Sequence, residues 1–524
     1  MDMDALLKKR ENERAEVMLR TDEVVYSGQL EQGVELDYVL PEYYPEIFRI
    51  VKCTFSPKIV SVNLSAEGKL SIDGVVGIKV LYLAEGSNSL HCVDQRYTYT
   101  KVADIGRRNM SASELPRVSV LPKTDYCNCR AVSPRRIDVR GAVSCKVKAI
   151  GAVEYPLPKI PEKLQLKKEQ LSCCGKTLYA EKLITLREDI ETGASGIGFI
   201  IESRCVPKIT DTRVIADKAV IKGTAVISAL YALSDNENSD ATRTEVMSAD
   251  IPISAILDIP GITESHLSSP DISVMSCELN SGTENGIISC ELLIKCSISA
   301  QKEEEVEIVT DLYSTEYETE FSCAPLRLCT EPRTAEKQFS VKQTLSCESG
   351  EVRSVADCGA ELFNLSYRPS GENEMTLSGV ILAYAEGSTV DGTPFFIDKQ
   401  EAFEQAIPAE KVNDDTIAEF SARVTDTGFS IRSDGTIDIT AQAVFNGLLR
   451  NVRTINAVNA VTVYEDKPKT NDSDFALRIF YTGEGEDCWS IAKRCNTTVA
   501  AVMAENDIED ENTPLSGMVL IPTI

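Results

Sequence analysis

The sequence predicts a mainly all-β chain: three tandem β-sandwich repeats followed by a small βααβ domain. Three observations carry this reading. From Val24 onward, short strings alternate between apolar and polar residues and are rich in Val, Ile, Thr and Tyr, as strands with one wet face require. A long segment recurs at intervals of about 150 residues. The end of the chain then changes to strand, helix, helix, strand, and holds the only tryptophan, Trp489, among 524 residues.

Residues 1–22 are expected to form an N-terminal helix. Residues 1–20 mix five acidic and five basic side chains, with pairs such as Asp4 and Lys8 four apart, as a solvated helix favours. The first β domain is expected over 23–160, the second over 161–310 and the third over 311–463. "KLSIDGVVGIKVLYLAEG" (Lys69–Gly86) is echoed by "KAVIKGTAVISALYALSD" (Lys218–Asp235), with Gly74 matching Gly223 and Tyr82 matching Tyr231. The third copy, "EMTLSGVILAYAEG" (Glu374–Gly387), keeps Gly379 and Tyr384 but is shorter between them. A glycine repeated inside a strand marks a bulge or a close backbone approach. "CTFSPKI" (Cys53–Ile59) and "CVPKI" (Cys205–Ile209) precede the first two copies at nearly equal distance, and each unit ends in another alternating segment. The proline and charges of "YEDKPKTNDSD" (Tyr464–Asp474) suggest a linker over 464–475 between an elongated body and the tail.

The tail, 476–524, reads as a strand "LRIFYTG", a helix "CWSIAKRC" capped by Asp487, a helix "TVAAVMAEN" capped by Thr497 or Thr498, and a closing strand "MVLIP". Trp489 is its expected structural anchor, with Ile491 and Ala492, holding the first helix to the sheet.

Composition narrows the function. A net charge of −27, from 81 acidic against 54 basic residues, repels phosphate backbones and anionic headgroups, so nucleic acid is not an expected partner. Seventeen cysteines, scattered and odd in number, and a start without an apolar stretch point to reduced thiols in a cytosol. No run is long and apolar enough to insert in a membrane. With only His91 and His266, little is available for triad, acid–base or zinc chemistry. Cys127 and Cys129 share one strand face but form no paired CxxC knuckle. No catalytic residue, metal or cofactor is therefore expected, and the chain reads as a non-enzyme.

The tail resembles a LysM domain, on Tyr481, Thr482, Gly485, Glu486, Trp489, Ile491, Ala492, Thr497, Thr498, Asn506, Gly517, Leu520, Ile521 and Pro522. That resemblance implies a ligand- or partner-binding groove between two loops, here Gly485, Glu486, Asp487 and Cys488 on one side and Asn506, Asp507 and Ile508 on the other. LysM grooves grip N-acetylglucosamine chains, mostly through backbone groups. Cys488 stands where Leu is usual, and residues 478–524 carry three basic and eight acidic side chains, which favours a protein partner with a basic face at least as much as a glycan.

"LPEYYPEIFRIVKC" (Leu40–Cys53) is similar to the opening of the SPOCS (spore coat) domain. Three SPOCS-like β domains with a C-terminal LysM resemble the SipL-type spore coat morphogenetic proteins of clostridia. The resemblance implies a cytoplasmic, mother-cell scaffold or adaptor at the forespore surface that docks its LysM tail on a SpoIVA-like ATPase of the basal coat layer. The alternative is a peptidoglycan-binding protein, its LysM holding N-acetylglucosamine-containing glycan and its β repeats acting as spacers. Open strand edges also allow self-association.

Overall fold

The structure, a computed structural model, describes residues 17–86, 90–106, 115–194, 196–233, 243–281, 286–348, 350–469, 477–483, 485–511 and 514–522. Strands dominate, and the two helices among the described residues both lie in the tail. Most of the expected N-terminal helix, residues 1–16, lies outside the described residues. Its last part is corrected: residues 17–22 belong to the first strand, where Thr21 pairs with Val153 and Asp22 with Ala152.

The first unit contains β1 (Val17–Val39), β2 (Ile47–Leu64), β3 (Lys69–Ala84), β4 (Leu90–Asp104), β5 (Arg117–Ser133) and β6 (Arg136–Leu157). They form two antiparallel three-stranded sheets, ordered β1–β6–β5 and β2–β3–β4. Alternation drives the packing. Val76, Ile78, Val80 and Tyr82 of β3 meet Ile137, Val139 and Val143 of β6 in one core, while the residues between them face outward.

The second unit contains β7 (Leu164–Cys174), β8 (Leu178–Glu191), β9 (Ile197–Ile215), β10 (Lys218–Leu233), β11 (Thr244–Asp258), β12 (Leu267–Ser281), β13 (Ile287–Gln301) and β14 (Glu303–Ser314). Its sheets are β11–β10–β9 and β12–β13–β8. The strands equivalent to β1 and β6 are interrupted here, so β7 and β14 form a separate two-stranded ribbon. The Gly175 N–H donates to the Lys302 carbonyl (2.9 Å) at the break.

The third unit repeats the plan with β15 (Tyr317–Leu345), β16 (Val352–Gly371), β17 (Glu374–Thr389), β18 (Pro394–Pro408), β19 (Thr416–Ile431) and β20 (Ile437–Pro468), in sheets β15–β20–β19 and β16–β17–β18. The expected boundary at 310 falls inside β14, which is paired to β7 through Ser314. The first part of the expected 464–475 linker is likewise still strand, with Tyr464 paired to Glu318 and Pro468 to Tyr317, while residues 470–475 lie outside the described residues. An outer ribbon leaves both faces wet, so Glu465, Asp466 and Lys467 enter it without burying charge, and a proline at its last residue breaks no interior ladder.

Each repeated glycine sits in a central strand opposite a β-bulge: Gly74 beside the Ile59/Ser61 shift, Gly223 at the Ile209/Asp211 shift, and Gly379 across from the Phe363/Ser366 shift. A Cβ on Gly74 would lie 2.3 Å from the Tyr99 ring, and one on Gly223 would lie 2.5 Å from the Lys208 carbonyl oxygen. The match of Tyr384 to Tyr82 and Tyr231 is corrected by register. Tyr82 and Tyr231 stand opposite His91 and Glu245 with their rings in the core, whereas the position in β17 equivalent to theirs is Gly387. Tyr384 points to the other face of its sheet, toward the neighbouring units.

Those neighbours touch in all three pairings, so the units are not an extended string. Lys52, Glu202 and Asp357 occupy equivalent positions, opposite Leu81, Leu230 and Glu386. Lys52 Nζ lies 2.6 Å from Glu202 and 3.6 Å from Glu386, joining all three units. Arg204 reaches from the second unit to Asp357 (3.5 Å) and donates to the Cys358 carbonyl (2.8 Å) of the third. Leu81, Leu83 and Leu90 of the first unit pack on Ile201, Leu230 and Ala232 of the second. The outer ribbons converge as well, with Leu171 and Ile308 against Leu326, Leu328 and Ile455, and Leu19 and Tyr155 at their flank.

Burial pushes the Glu386 carboxyl up to about 7, with Lys52 opposing and Glu202 and Asp357 reinforcing the shift. The folded chain therefore holds a proton that an unfolded Glu386, ordinarily at 4.5, would release. Its contribution to stability is complete below the ordinary value and is lost as pH rises through about 7. Comparing thermal unfolding of the wild-type and Glu386→Gln chains between about pH 5 and about pH 8 should show the wild type losing midpoint temperature relative to the variant. Parallel curves would show that Glu386 does not titrate in this window.

Candidate partner-binding module

The tail consists of β21 (Leu477–Tyr481), α1 (Cys488–Cys495), α2 (Val499–Glu505) and β22 (Met518–Pro522), with β21 and β22 antiparallel. Local chemistry sets each helix. Asp487 caps α1, its side chain accepting from the Ser490 N–H (2.9 Å) while Ser490 Oγ accepts from the Asp487 N–H, a reciprocal capping box. Thr498, one of the two expected caps, closes the start of α2 by accepting from Ala501 N–H (3.2 Å). Asn496 ends α1 in the left-handed region, which Asn tolerates better than most residues.

Ile491 and Ala492, two of the three expected anchor residues, are fully buried. Trp489 is also buried, at 8% exposure, but part of its packing comes from outside the tail. Its ring meets Tyr313 of β14 edge-on, with centroids 5.1 Å apart, and its indole N–H donates to Asp311 Oδ2 (2.8 Å). Lys493, one turn along α1, donates to Asp311 Oδ1 (2.5 Å), and Tyr313 donates its hydroxyl to the Thr497 carbonyl (2.8 Å). Asn496 donates to the Thr315 carbonyl, while Lys469 bridges the Ser314 carbonyl and Asn496 Oδ1. Lys167 of β7 pairs with Asp487 at 2.9 Å. Burial alone would raise the Asp487 pKa, but hydrogen bonds from Ser490 and Lys167 hold it at about 2. The tail is thus clasped by the β7–β14 ribbon along one face of α1.

The seven groove residues expected from the sequence divide by role. Gly485 and Asp507 are exposed, both with positive φ. Glu486 is half-buried, accepts from the Gly483 N–H (2.8 Å) and pairs with Arg494 (2.8 Å). Asp487 is committed to the α1 cap and to Lys167. The Cys488 side chain is fully buried in the tail core, where burial raises its thiol pKa. Asn506 accepts from the Leu520 N–H (2.7 Å) and donates to the Leu520 carbonyl (2.6 Å), covering the outer edge of β22 as a third strand would. Ile508 packs against the tail core, and the Leu515 N–H ties to the Glu486 carbonyl (2.8 Å), joining the two loops. The sequence reading missed Lys167, Asp311, Tyr313, Lys469, Lys493 and Asn496. Only Lys493 and Asn496 carried a local hint, as polar residues on the turns of α1 that follow Trp489.

No set of three or more His, Cys, Asp and Glu side chains among the described residues is arranged to hold a metal ion. The Cys127 and Cys53 sulfurs approach to 3.3 Å between the two sheets of the first unit. No helix among the described residues is long and apolar enough to cross a membrane.

A family model described as the SipL, SPOCS domain matches residues 197–281, from the first residue of β9 to the last of β12. A LysM domain model matches residues 483–521. The chain combines a SPOCS domain with a C-terminal LysM domain. No curated protein and no solved structure matches it. SPOCS and LysM domains are not known as catalytic, and together they fit a spore-coat or peptidoglycan-binding adaptor. LysM domains bind N-acetylglucosamine-containing glycans. Strand order relates the other two units to the matched one, since each pairs its central strand, β3 or β17, with the strands before and after it, as β10 does.

Because Trp489 is the only tryptophan, its fluorescence reports the clasp directly. Asp311→Ala removes the acceptor shared by Trp489 and Lys493 and should weaken docking by about 1–3 kcal/mol. The expected result is a red-shifted emission and faster proteolytic release of the LysM domain, with unchanged circular dichroism. An unshifted spectrum would mean that the indole is shielded within the LysM domain alone.

Proposed function

We propose that the protein is a non-enzymatic scaffold or adaptor in spore coat assembly, cytoplasmic in the mother cell and acting at the forespore surface. Its LysM domain docks on a SpoIVA-like ATPase of the basal coat layer, while the three SPOCS-like units present the coat-facing surface. The observation that carries this reading is the clasp of the LysM domain by the β7–β14 ribbon. A glycan anchor on spacers works best on a free tether, whereas Trp489, Lys493 and Asn496 bind this LysM domain to the body and fix its orientation. A fixed orientation suits an adaptor that must relate two layers. The outward segment supports a protein partner too: Glu505, Asp507, Glu509 and Glu511 are exposed, and a basic surface would be drawn to them.

The second reading, an N-acetylglucosamine or peptidoglycan binder, is favoured by the exposed, positive-φ backbones of Gly485 and Asp507, the kind of main-chain surface on which LysM glycan contacts depend. The full chain and its Asp507→Lys/Glu509→Lys variant separate the two. The adaptor reading expects the wild type to bind the SpoIVA-like protein of the same organism, the variant to lose about tenfold or more of that affinity, and the loss to shrink at high salt. Binding to chitin oligomers without binding to the SpoIVA-like protein would establish the second reading instead.

A further inference from the structure

The two-stranded sheet of the LysM domain has a face that the fold leaves uncovered. Leu477, Ile479 and Tyr481 alternate along β21 on the side away from the helices, with exposures of 40%, 61% and 73%. In register opposite them stand Pro522, Leu520 and Met518, the last 56% exposed. Their neighbours Phe480, Val519 and Ile521 are the ones that face the helices: Val519 and Ile521 are buried, and Phe480 lies under the Arg494 guanidinium. An alternating strand pair with one face on a core should be polar on the other. Here the outer face is apolar as well: four bulky side chains, Leu477, Ile479, Tyr481 and Met518, are exposed with half-buried Leu520 between them, which marks a binding surface rather than scattered exposure.

Charge selects the occupant. Asn506 holds the outer edge of β22 at Leu520, one of the residues of this face, and an acidic run follows it in the chain. Glu505, just before Asn506, and Asp507, Glu509 and Glu511, just after it, are exposed. Of the domain's three basic residues, Lys493 is bound to Asp311 and Arg494 to Glu486, while Arg478, on the alternate side of β21 from the patch, lies near Cys495. A second copy of this chain would bring the same acidic border against itself, within a molecule whose net charge is already −27. We propose that the outer face of β21 and β22 is a docking surface, separate from the loop groove, for a protein segment with an apolar centre and a lysine- or arginine-rich border. This goes beyond the adaptor reading and stands on different observations.

The test uses the full chain and a fluorescent peptide of alternating Leu and Lys, with an alternating Ser and Lys peptide as the equal-charge control. The wild type should bind the Leu/Lys peptide in a salt-sensitive manner and the Ser/Lys peptide at least tenfold more weakly. Ile479→Glu and Met518→Glu, both at exposed positions that leave the fold intact, should each reduce Leu/Lys binding about tenfold or more. Equal binding of both peptides, or binding unchanged by the two substitutions, would overturn the proposal. So would light scattering that shows a wild-type dimer dissolved by Ile479→Glu, since the occupant would then be a second copy. A chain that passes this test but fails to bind the SpoIVA-like protein would remove the adaptor reading and leave the surface standing.

Discussion

The relation among the three β units depends on one buried ammonium. Lys52 belongs to the first unit, and its two carboxylate partners, Glu202 and Glu386, belong to the second and third. Burial disfavours its charge, but Glu202 first, and Glu386 once ionised, more than compensate, so it stays protonated. The Phe396 ring of the third unit, 4.0 Å from Nζ, adds to that field. Removing Glu202, its nearer partner, would leave a buried charge largely uncompensated, at a cost of about 3–5 kcal/mol. Independent beads on a chain would have no reason to bury it.

The junction uses equivalent positions of the three units for unlike residues. Where the first two units place Leu81 and Leu230, the third places Glu386; where they place Lys52 and Glu202, it places Asp357. The apolar pair seals the contact between the first two units, and the charged group reaches all three contacts. The repeats have diverged at their shared surface while their central strands keep the glycine and its bulge. That divergence gives the assembly one arrangement of units, since exchanging two of them would bring Glu386 against an aliphatic wall.

The ribbons extend this closure to the LysM domain. The break at Gly175 and Lys302 frees β7 and β14 from the sandwich of the second unit, and the freed ribbon carries Lys167, Asp311 and Tyr313 to α1. The lone tryptophan therefore works on both sides of a boundary, filling the LysM core and hydrogen-bonding to the body. Its helix is spent on that contact, which leaves the two loops and the outer sheet face turned away from the ribbon.

Much of this was legible in the residues. Alternation in Lys69–Ala84 and its copies established the sandwich strands, because burial of one face dictates a period of two. The caps at Asp487 and Thr498 and the Trp489 pattern established the LysM elements, because those signals are local. What failed was anything set by register or by distant partners. Tyr384 looked like the counterpart of Tyr82, but three missing residues turn it to the opposite face. Tyr464–Pro468 looked like a linker, yet an exposed ribbon accepts charged residues that a sheet interior would reject. Cys488 and Asn506 looked like groove residues, and their side chains serve the core and the β22 edge. The sequence by itself determined the classes of the units and their order, since those follow from periodicity and caps. Only the tertiary structure decided how the units close around Lys52 and where the LysM domain faces, because those contacts join residues up to 334 positions apart in the chain and leave no periodic trace.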